Sequence, residues 1–282
     1  MQDMMYITRE VADRLLGASQ KGVREVRVSL DLNRSEVVLR LAGGVALLPG
    51  GGTISLAWLI DAVREGLAYR MEEGRLEALE RRSHRYYKIM PTGEAPTLVI
   101  DGIQMHQTRW RFPFEESRDK AKQVVRRGDV VLDTCGGLGY TAYWAAKLGA
   151  ERVISVELDE EVLELRAQNP WIAPDKDTGR VAVVQADVAR FIQELAPRSV
   201  NAVIHDPPRL SMAGELYGSA FYRELERILI PGGRLFHYVG NPGGKYRGRN
   251  IPGGVARRLI EAGFRVEPRD RLLGFVAWKI RS

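Results

Sequence analysis

The sequence predicts an α/β protein, a doubly wound and mainly parallel sheet of seven strands preceded by a smaller N-terminal α+β domain. Three observations predict it. Strand-like apolar runs recur at residues 129–134, 152–157, 181–185, 201–206, 234–239, 264–267 and 273–279, with helical segments between the first six. The first run passes through a glycine-rich turn, Gly136, Gly137 and Gly139, straight into an apolar helix. Only Pro268-Arg-Asp-Arg271 separates the last two runs, too little chain for a crossover helix, so those two pair antiparallel.

The elements before this rhythm form a first domain, 1–117, leaving 118–282 for the sheet. Residues 6–16 read as a short amphipathic helix that Gly17 stops. Runs 23–30 and 35–41 flank a turn at 31–34 and read as a β-hairpin. Helices are expected near 56–66 and, in charged sequence, near 72–82, before a strand at 97–100. Residues 81–88, which include Arg85 and Tyr86, interleave cations with tyrosine rings. That pattern suits a nucleic-acid surface, and equally a solvated strand with one ring in the core.

The chain has 282 residues, a net charge of +6 and an isoelectric point near 9.5, which favours a polyanionic partner. Its single cysteine, Cys135, excludes an internal disulfide and a cysteine-based zinc cluster, and no metal is expected. No apolar run approaches the roughly 18–20 residues of a membrane span, and no basic-then-apolar leader opens the chain. The expectation is a cytoplasmic protein without membrane contact. Oligomeric state has no signature here.

A glycine turn leading into a helix lets a ligand approach backbone N–H groups without meeting a Cβ. Asp133-x-Cys135-x-Gly137-x-Gly139 ends the first strand, Glu157 closes the second and Asp187 follows the third. Each carboxylate alone suits a helix cap; together they line one edge of the sheet. This half resembles the class I S-adenosylmethionine-dependent methyltransferases, a Rossmann-like family, with Cys135 where the family's first motif has glycine. The resemblance implies S-adenosyl-L-methionine as cofactor, held by Asp133, Cys135, Gly136, Gly137, Gly139, Tyr140 and Thr141. It implies further contacts from Glu157, whose carboxylate would accept both ribose hydroxyls, from Asp187 at the adenine amine, and from Leu158, Val188 and Asp206.

The fourth strand runs into Asp206-Pro207-Pro208-Arg209. An amine on a nucleobase shares its lone pair with the ring and is a poor nucleophile. A carboxylate and a carbonyl that accept its two hydrogens would aim the lone pair and stabilise the developing charge. The tetrapeptide resembles that of methyltransferases acting on exocyclic or amide nitrogens, and the chain resembles archaeal RNA N-methyltransferases. The resemblance assigns the catalytic positions to Asp206, Pro207, Pro208 and Arg209. It departs at Arg209, where that group has an aromatic ring. Stacking on an extruded base could fall to Arg209, Tyr217, Tyr222 or Tyr238. Asp-Pro-Pro-Arg also resembles base C5-methylating RNA enzymes, but those need a cysteine that is absent after the fifth strand here.

Lys245, Arg247 and Arg249 lie in a glycine-containing loop after the fifth strand and suit a phosphate backbone. The expected partner is structured RNA, ribosomal or transfer, with cytosine N4 preferred over guanine N2. Residues 98–104, 112–116 and 156–159 are also similar to polyamine aminopropyltransferases, which use decarboxylated S-adenosylmethionine and would need an acidic pocket.

Overall fold

The structure, a computed structural model, describes residues 4–108, 111–172, 179–240 and 251–280. It divides into two compact units, Met1–Pro113 with Ala167–Trp171, and Phe114–Arg166 with Ile172–Ser282. The sequence reading drew the boundary at 117/118 and did not assign residues 167–171 to the first unit.

Among the described residues the first unit holds three antiparallel sheets and two α-helices, Arg9–Gln20 and Leu56–Ala62. Leu15, Leu39, Leu56 and Leu59 are fully buried in its core. The hairpin is present, with Glu25–Val28 paired to Val37–Ala42. Two expectations fail. Residues Met5–Ile7 form a strand, and the helix begins only after Thr8, whose hydroxyl accepts the Val11 N–H at 3.3 Å, and runs on through Gly17 to Gln20. The charged stretch at 72–82 is not helical but three short strands, Tyr69–Glu72, Arg75–Ala78 and Glu80–Arg82. Glu73 and Gly74, with φ of 51° and 77°, make the two-residue turn that joins the first two. Two successive positive φ values match the twist of a tight hairpin and cannot continue a helix.

The second unit is a seven-stranded sheet flanked by helices. Its strands are β1 (Val130–Asp133), β2 (Arg152–Glu157), β3 (Val181–Gln185), β4 (Val200–His205), β5 (Leu229–Tyr238), β6 (Phe264–Arg269) and β7 (Gly274–Lys279). Their order is β3-β2-β1-β4-β5-β7-β6, with β7 antiparallel to both its neighbours and the rest parallel. The doubly wound sheet and its closing hairpin are therefore as the sequence predicts. The helices are α1 (Pro113–Val124), α2 (Tyr140–Lys147), α3 (Glu160–Ala167), α4 (Val188–Glu194), α5 (Ser219–Ile228) and α6 (Ile251–Glu261). Helix α2 turns Ala142, Ala145 and Ala146 to the sheet, and these small side chains allow close approach. Among the described residues no helix is long and apolar enough to cross a membrane.

The winding reverses between β1 and β4. Open α/β sheets bind ligands outside the carboxyl ends of their strands at this kind of reversal.

Candidate active site at the carboxyl edge of the sheet

Four successive strand ends meet there: Asp187 after β3, Glu157 on β2, the glycine loop after β1 and Asp206 after β4. Neighbouring strands lie about 4.8 Å apart, so these groups share one short edge.

The glycines do different work. A Cβ on Gly136 would lie 2.5 Å from Ser155 Oγ and 2.6 Å from Arg166 Nη1. One on Gly139, at φ +89°, would lie 2.7 Å from Arg166 Nε. Both glycines therefore serve the internal packing of the loop on Arg166. Gly137, at φ +48°, differs: a Cβ there meets nothing within 4 Å among the described residues, so that side is open.

Asp133, Tyr140 and Thr141, expected among the cofactor contacts, turn their side chains inward. Asp133 is fully buried and accepts hydroxyl hydrogen bonds from Thr141 (3.0 Å) and Ser155 (2.8 Å), so it braces the loop from beneath. Burial pushes its carboxyl up to about 6, against the Arg166 guanidinium and the two hydroxyl bonds. Tyr140 is buried with its ring edge-on to Phe114. Arg166, on α3 and 5 % exposed, donates to Ser155 Oγ at 2.8 Å. Sequence reasoning missed it, although Val162, Leu165 and Arg166 share one buried helical stripe.

Glu157 and Asp187 keep their edge positions but are partly engaged. Glu157 Oε1 accepts the Leu158 and Asp159 N–H groups, and Oε2 accepts that of Gly137 at 2.8 Å. With two lone pairs per oxygen, Oε2 retains one open acceptor position, fewer than the two-hydroxyl role expected of it. Asp187 Oδ1 caps α4 through Ala189 N–H, and Val188 is buried. Leu158 stands 61 % exposed beside Glu157.

Cys135 is half-buried, and burial followed by the Glu157 carboxylate pushes its thiol well above the ordinary range. A thiol held protonated is a poor nucleophile. Its alkylation by iodoacetamide at pH 8 is expected to be at least about tenfold slower than that of a free cysteine. A rate equal to free cysteine, read by mass spectrometry, would contradict the placement.

At the end of β4 the turn's acceptors separate into used and unused. The Pro208 carbonyl accepts the Tyr217 hydroxyl at 2.9 Å, and the Arg209 carbonyl accepts the Met212 and Ala213 N–H groups. Asp206 Oδ2 accepts Lys120 Nζ at 2.7 Å. Among the described residues, Asp206 Oδ1 and the Pro207 carbonyl have no hydrogen-bond partner.

Lys120, on α1, was also missed. Ser117, Lys120, Ala121 and Val124 fall on one buried stripe, so a lysine occupying an apolar position was the available signal. Its ammonium lies 3.5 Å from Glu116 Oε1 and 4.1 Å from the Tyr238 ring centroid. Burial alone draws a lysine down, but the Asp206 and Glu116 carboxylates hold this one above its ordinary value.

The stacking candidates separate as well. Tyr217 and Tyr222 are buried: Tyr217 holds the Pro208 carbonyl, and Tyr222 bonds His237 at 2.8 Å, so neither presents a face to a base. Tyr238 is half-buried and carries the Lys120 ammonium on its ring, while Arg209 is exposed. Lys245, Arg247 and Arg249 lie outside the described residues. In the first unit Arg85 faces Asp101 at 4.0 Å, and the Tyr86 hydroxyl bonds Glu80 at 2.5 Å under the Arg82 guanidinium. Tyr87 is the ring in the core. Arg85 and Tyr86 thus each have a carboxylate partner within the first unit.

Behind Asp206, His205 is fully buried, donating Nε2–H to the Leu216 carbonyl and accepting the Thr134 hydroxyl at Nδ1. Burial outweighs the Leu216 carbonyl and the Asp206 carboxylate and lowers its pKa to about 4. The unfolded chain therefore protonates first as pH falls. The stability that neutral His205 contributes is complete above the unfolded value near 6.5 and is lost on descending to about 4. Asp133, with its raised pKa, works in the opposite sense, so the comparison is with a variant. Relative to His205→Gln, the wild type is expected to lose on the order of 3 kcal/mol of unfolding free energy between about pH 7.5 and 4. Parallel pH curves in urea titrations would contradict this.

No family model matches the chain. It is 40% identical over 285 residues to uncharacterized protein MJ1233 of Methanocaldococcus jannaschii, covering 99% of this chain and 97% of that protein. Over 176 residues it is 32% identical to the polyamine aminopropyltransferase of Mycobacterium tuberculosis, spanning 57% of this chain but 32% of that one. Over 195 residues it is 25% identical to the ribosomal RNA large subunit methyltransferase I of Aeromonas hydrophila, 62% of this chain and 46% of that one. A solved spermidine synthase, in complex with the transition state analogue AdoDATO, shares the fold at a TM-score of 0.59 and 17% identity, over 72% of this chain and 73% of that chain. By its full-length identity the chain belongs to the same family as MJ1233, with a second unit of the class I methyltransferase-like, Rossmann-like fold.

Proposed function

We propose that the protein is an S-adenosylmethionine-dependent methyltransferase acting on an exocyclic amine of a nucleobase in structured RNA, cytosine N4 before guanine N2. The observation that carries this reading is the pair of unpartnered acceptors, Asp206 Oδ1 and the Pro207 carbonyl, beside the glycine loop at the reversal of the sheet. The cationic balance of the chain and its similarity to a ribosomal RNA methyltransferase support an RNA substrate.

The residues present fit the cofactor. Gly137 leaves open space, Glu157 Oε2 keeps one acceptor position for a ribose hydroxyl, Leu158 offers an apolar face to the adenine, and Asp187 stands at the next strand end. When bound, S-adenosylmethionine supplies a methyl group activated by a sulfonium.

Asp206 Oδ1 and the Pro207 carbonyl take the two amine hydrogens and turn the nitrogen lone pair towards the methyl carbon. Bound S-adenosylmethionine would supply the methyl group, the new N–C bond replacing the S–C bond whose electron pair would stay on sulfur. The surplus proton of the methylated nitrogen leaves along its hydrogen bond to Oδ1 and on to water. Arg209, exposed at the end of the turn, supplies a planar cation for the base face. Attack at C5 through a cysteine adduct is disfavoured because the single cysteine, Cys135, lies in the loop after β1 and not after β5, with its thiol pKa raised.

Aminopropyl transfer is the second reading, favoured by the partial identity to the polyamine aminopropyltransferase. A polycationic acceptor needs carboxylates, yet the oxygen nearest Lys120 already holds that lysine, and Arg209 adds a second cation to the same turn. Incubation with methyl-labelled S-adenosylmethionine and bulk RNA is expected to label the RNA. Unlabelled RNA, with methylthioadenosine released from the decarboxylated donor and polyamines, would replace the first reading by the second.

A further inference from the structure

We infer that Lys120 is a positioning residue for the transfer: by occupying Asp206 Oδ2 it leaves Oδ1 and the Pro207 carbonyl as a two-acceptor site shaped for a planar –NH2 group. The inference rests on the reading above, that Asp206 faces the acceptor amine.

The geometry carries it in three steps. A lysine 3 % exposed is a costly residue for a fold to keep, since an apolar side chain at a buried ion-pair position is often neutral or stabilising. Its place on a buried stripe beside Ser117, Ala121 and Val124 calls for a use. Next, the ammonium is held on several sides, by Glu116 one helical turn earlier on α1, by the Tyr238 ring at the end of β5 and by Asp206 at the end of β4. Elements anchored in the sheet core thereby fix the plane of a carboxylate that otherwise stands at the mouth of a turn, its side chain 16 % exposed. Finally, the acceptors at the turn differ in what they already hold. Oδ2 holds Lys120 and the Pro208 carbonyl holds Tyr217, while among the described residues Oδ1 and the Pro207 carbonyl accept no hydrogen bond. A planar amine has two hydrogens to place.

The test is a double-mutant cycle on the full-length protein with RNA as acceptor. Lys120→Met is expected to lower kcat on the order of 10²-fold, with the KM for RNA and the calorimetric affinity for S-adenosylmethionine each within about threefold of wild type. In an Asp206→Asn background, where the carboxylate is already gone, Lys120→Met is expected to lower kcat by less than about threefold more. Lys120→Arg retains a cation at the position and is expected to recover at least about tenfold of the loss at an unchanged melting temperature, which keeps the test decisive if Lys120→Met is poorly folded. Additive losses in the double variant, or an arginine variant that folds fully but is no better than methionine, would overturn the inference while leaving the functional reading in place. A wild type that binds S-adenosylmethionine but methylates no RNA would overturn the functional reading, and this inference with it.

Discussion

Asp206→Asn is expected to slow methyl transfer by about 10²- to 10³-fold while leaving S-adenosylmethionine affinity essentially unchanged. The amide keeps the shape of the carboxylate but removes the charge that stabilises a nitrogen becoming cationic. It also offers Lys120 an oxygen, so the turn keeps its geometry. Asp206→Ala is the blunter variant. It would abolish turnover too, but it strips Lys120 of its 2.7 Å partner and leaves a buried ammonium with Glu116 and the Tyr238 ring. Removing one member of a buried ion pair costs about 3–5 kcal/mol, so lost activity in the alanine variant would mix chemistry with unfolding. Single-turnover rates with calorimetry on the asparagine variant separate the two. Undiminished transfer would remove Asp206 from the acceptor role.

The second large effect concerns the floor of the glycine loop. Arg166→Met is expected to destabilise the protein by about 3–5 kcal/mol, because the Asp133 carboxylate is then buried without its nearby cation and Ser155 loses its donor. Thermal unfolding would fall by roughly 10 °C for a chain of this size. The two residues are coupled through Ser155, whose hydroxyl donates to Asp133 Oδ2 at 2.8 Å while accepting from Arg166 Nη1 at 2.8 Å. Adding Asp133→Asn to Arg166→Met is therefore expected to restore much of the loss. Strictly additive melting temperatures would show that Arg166 acts by filling space alone. Cofactor affinity should fall with the single variant, since Gly136 and Gly139 rest on this guanidinium.

The contrast between these two residues shows how far the sequence could be read. The place of Asp206 at a strand end was legible because it follows an apolar run and precedes two prolines, a pattern written in consecutive residues. The strand rhythm, the closing hairpin and the loop between Asp133 and Gly139 were legible for the same reason, since period and turn chemistry are written in consecutive residues. Arg166 and Lys120 were not, because their meaning depends on which partner lies across the sheet edge. Each occupies an apolar stripe of its helix, and that stripe was the only sign that a charge was to be buried. Charged sequence at 72–82 misled in the opposite direction. Glutamate and arginine favour helices, but Glu73-Gly74 forms a tight hairpin turn, and Tyr69 and Met71 alternate inward as strand residues do. The tyrosines followed a third pattern. Tyr217 and Tyr222 have the composition of a stacking surface, but their hydroxyls are spent on Pro208 and His237 inside the unit. Burial decides such cases, and composition does not report it.

The central claim is that the two open acceptors at Asp206 and Pro207 orient a nucleobase amine. The most direct measurement is mass spectrometry of nucleosides digested from RNA that has been incubated with the protein and methyl-labelled S-adenosylmethionine. The account predicts label on an exocyclic nitrogen, N4 of cytidine or N2 of guanosine, and its loss with Asp206→Asn. Label on a ring carbon or a ribose oxygen, or nitrogen label that persists in the asparagine variant, would contradict it.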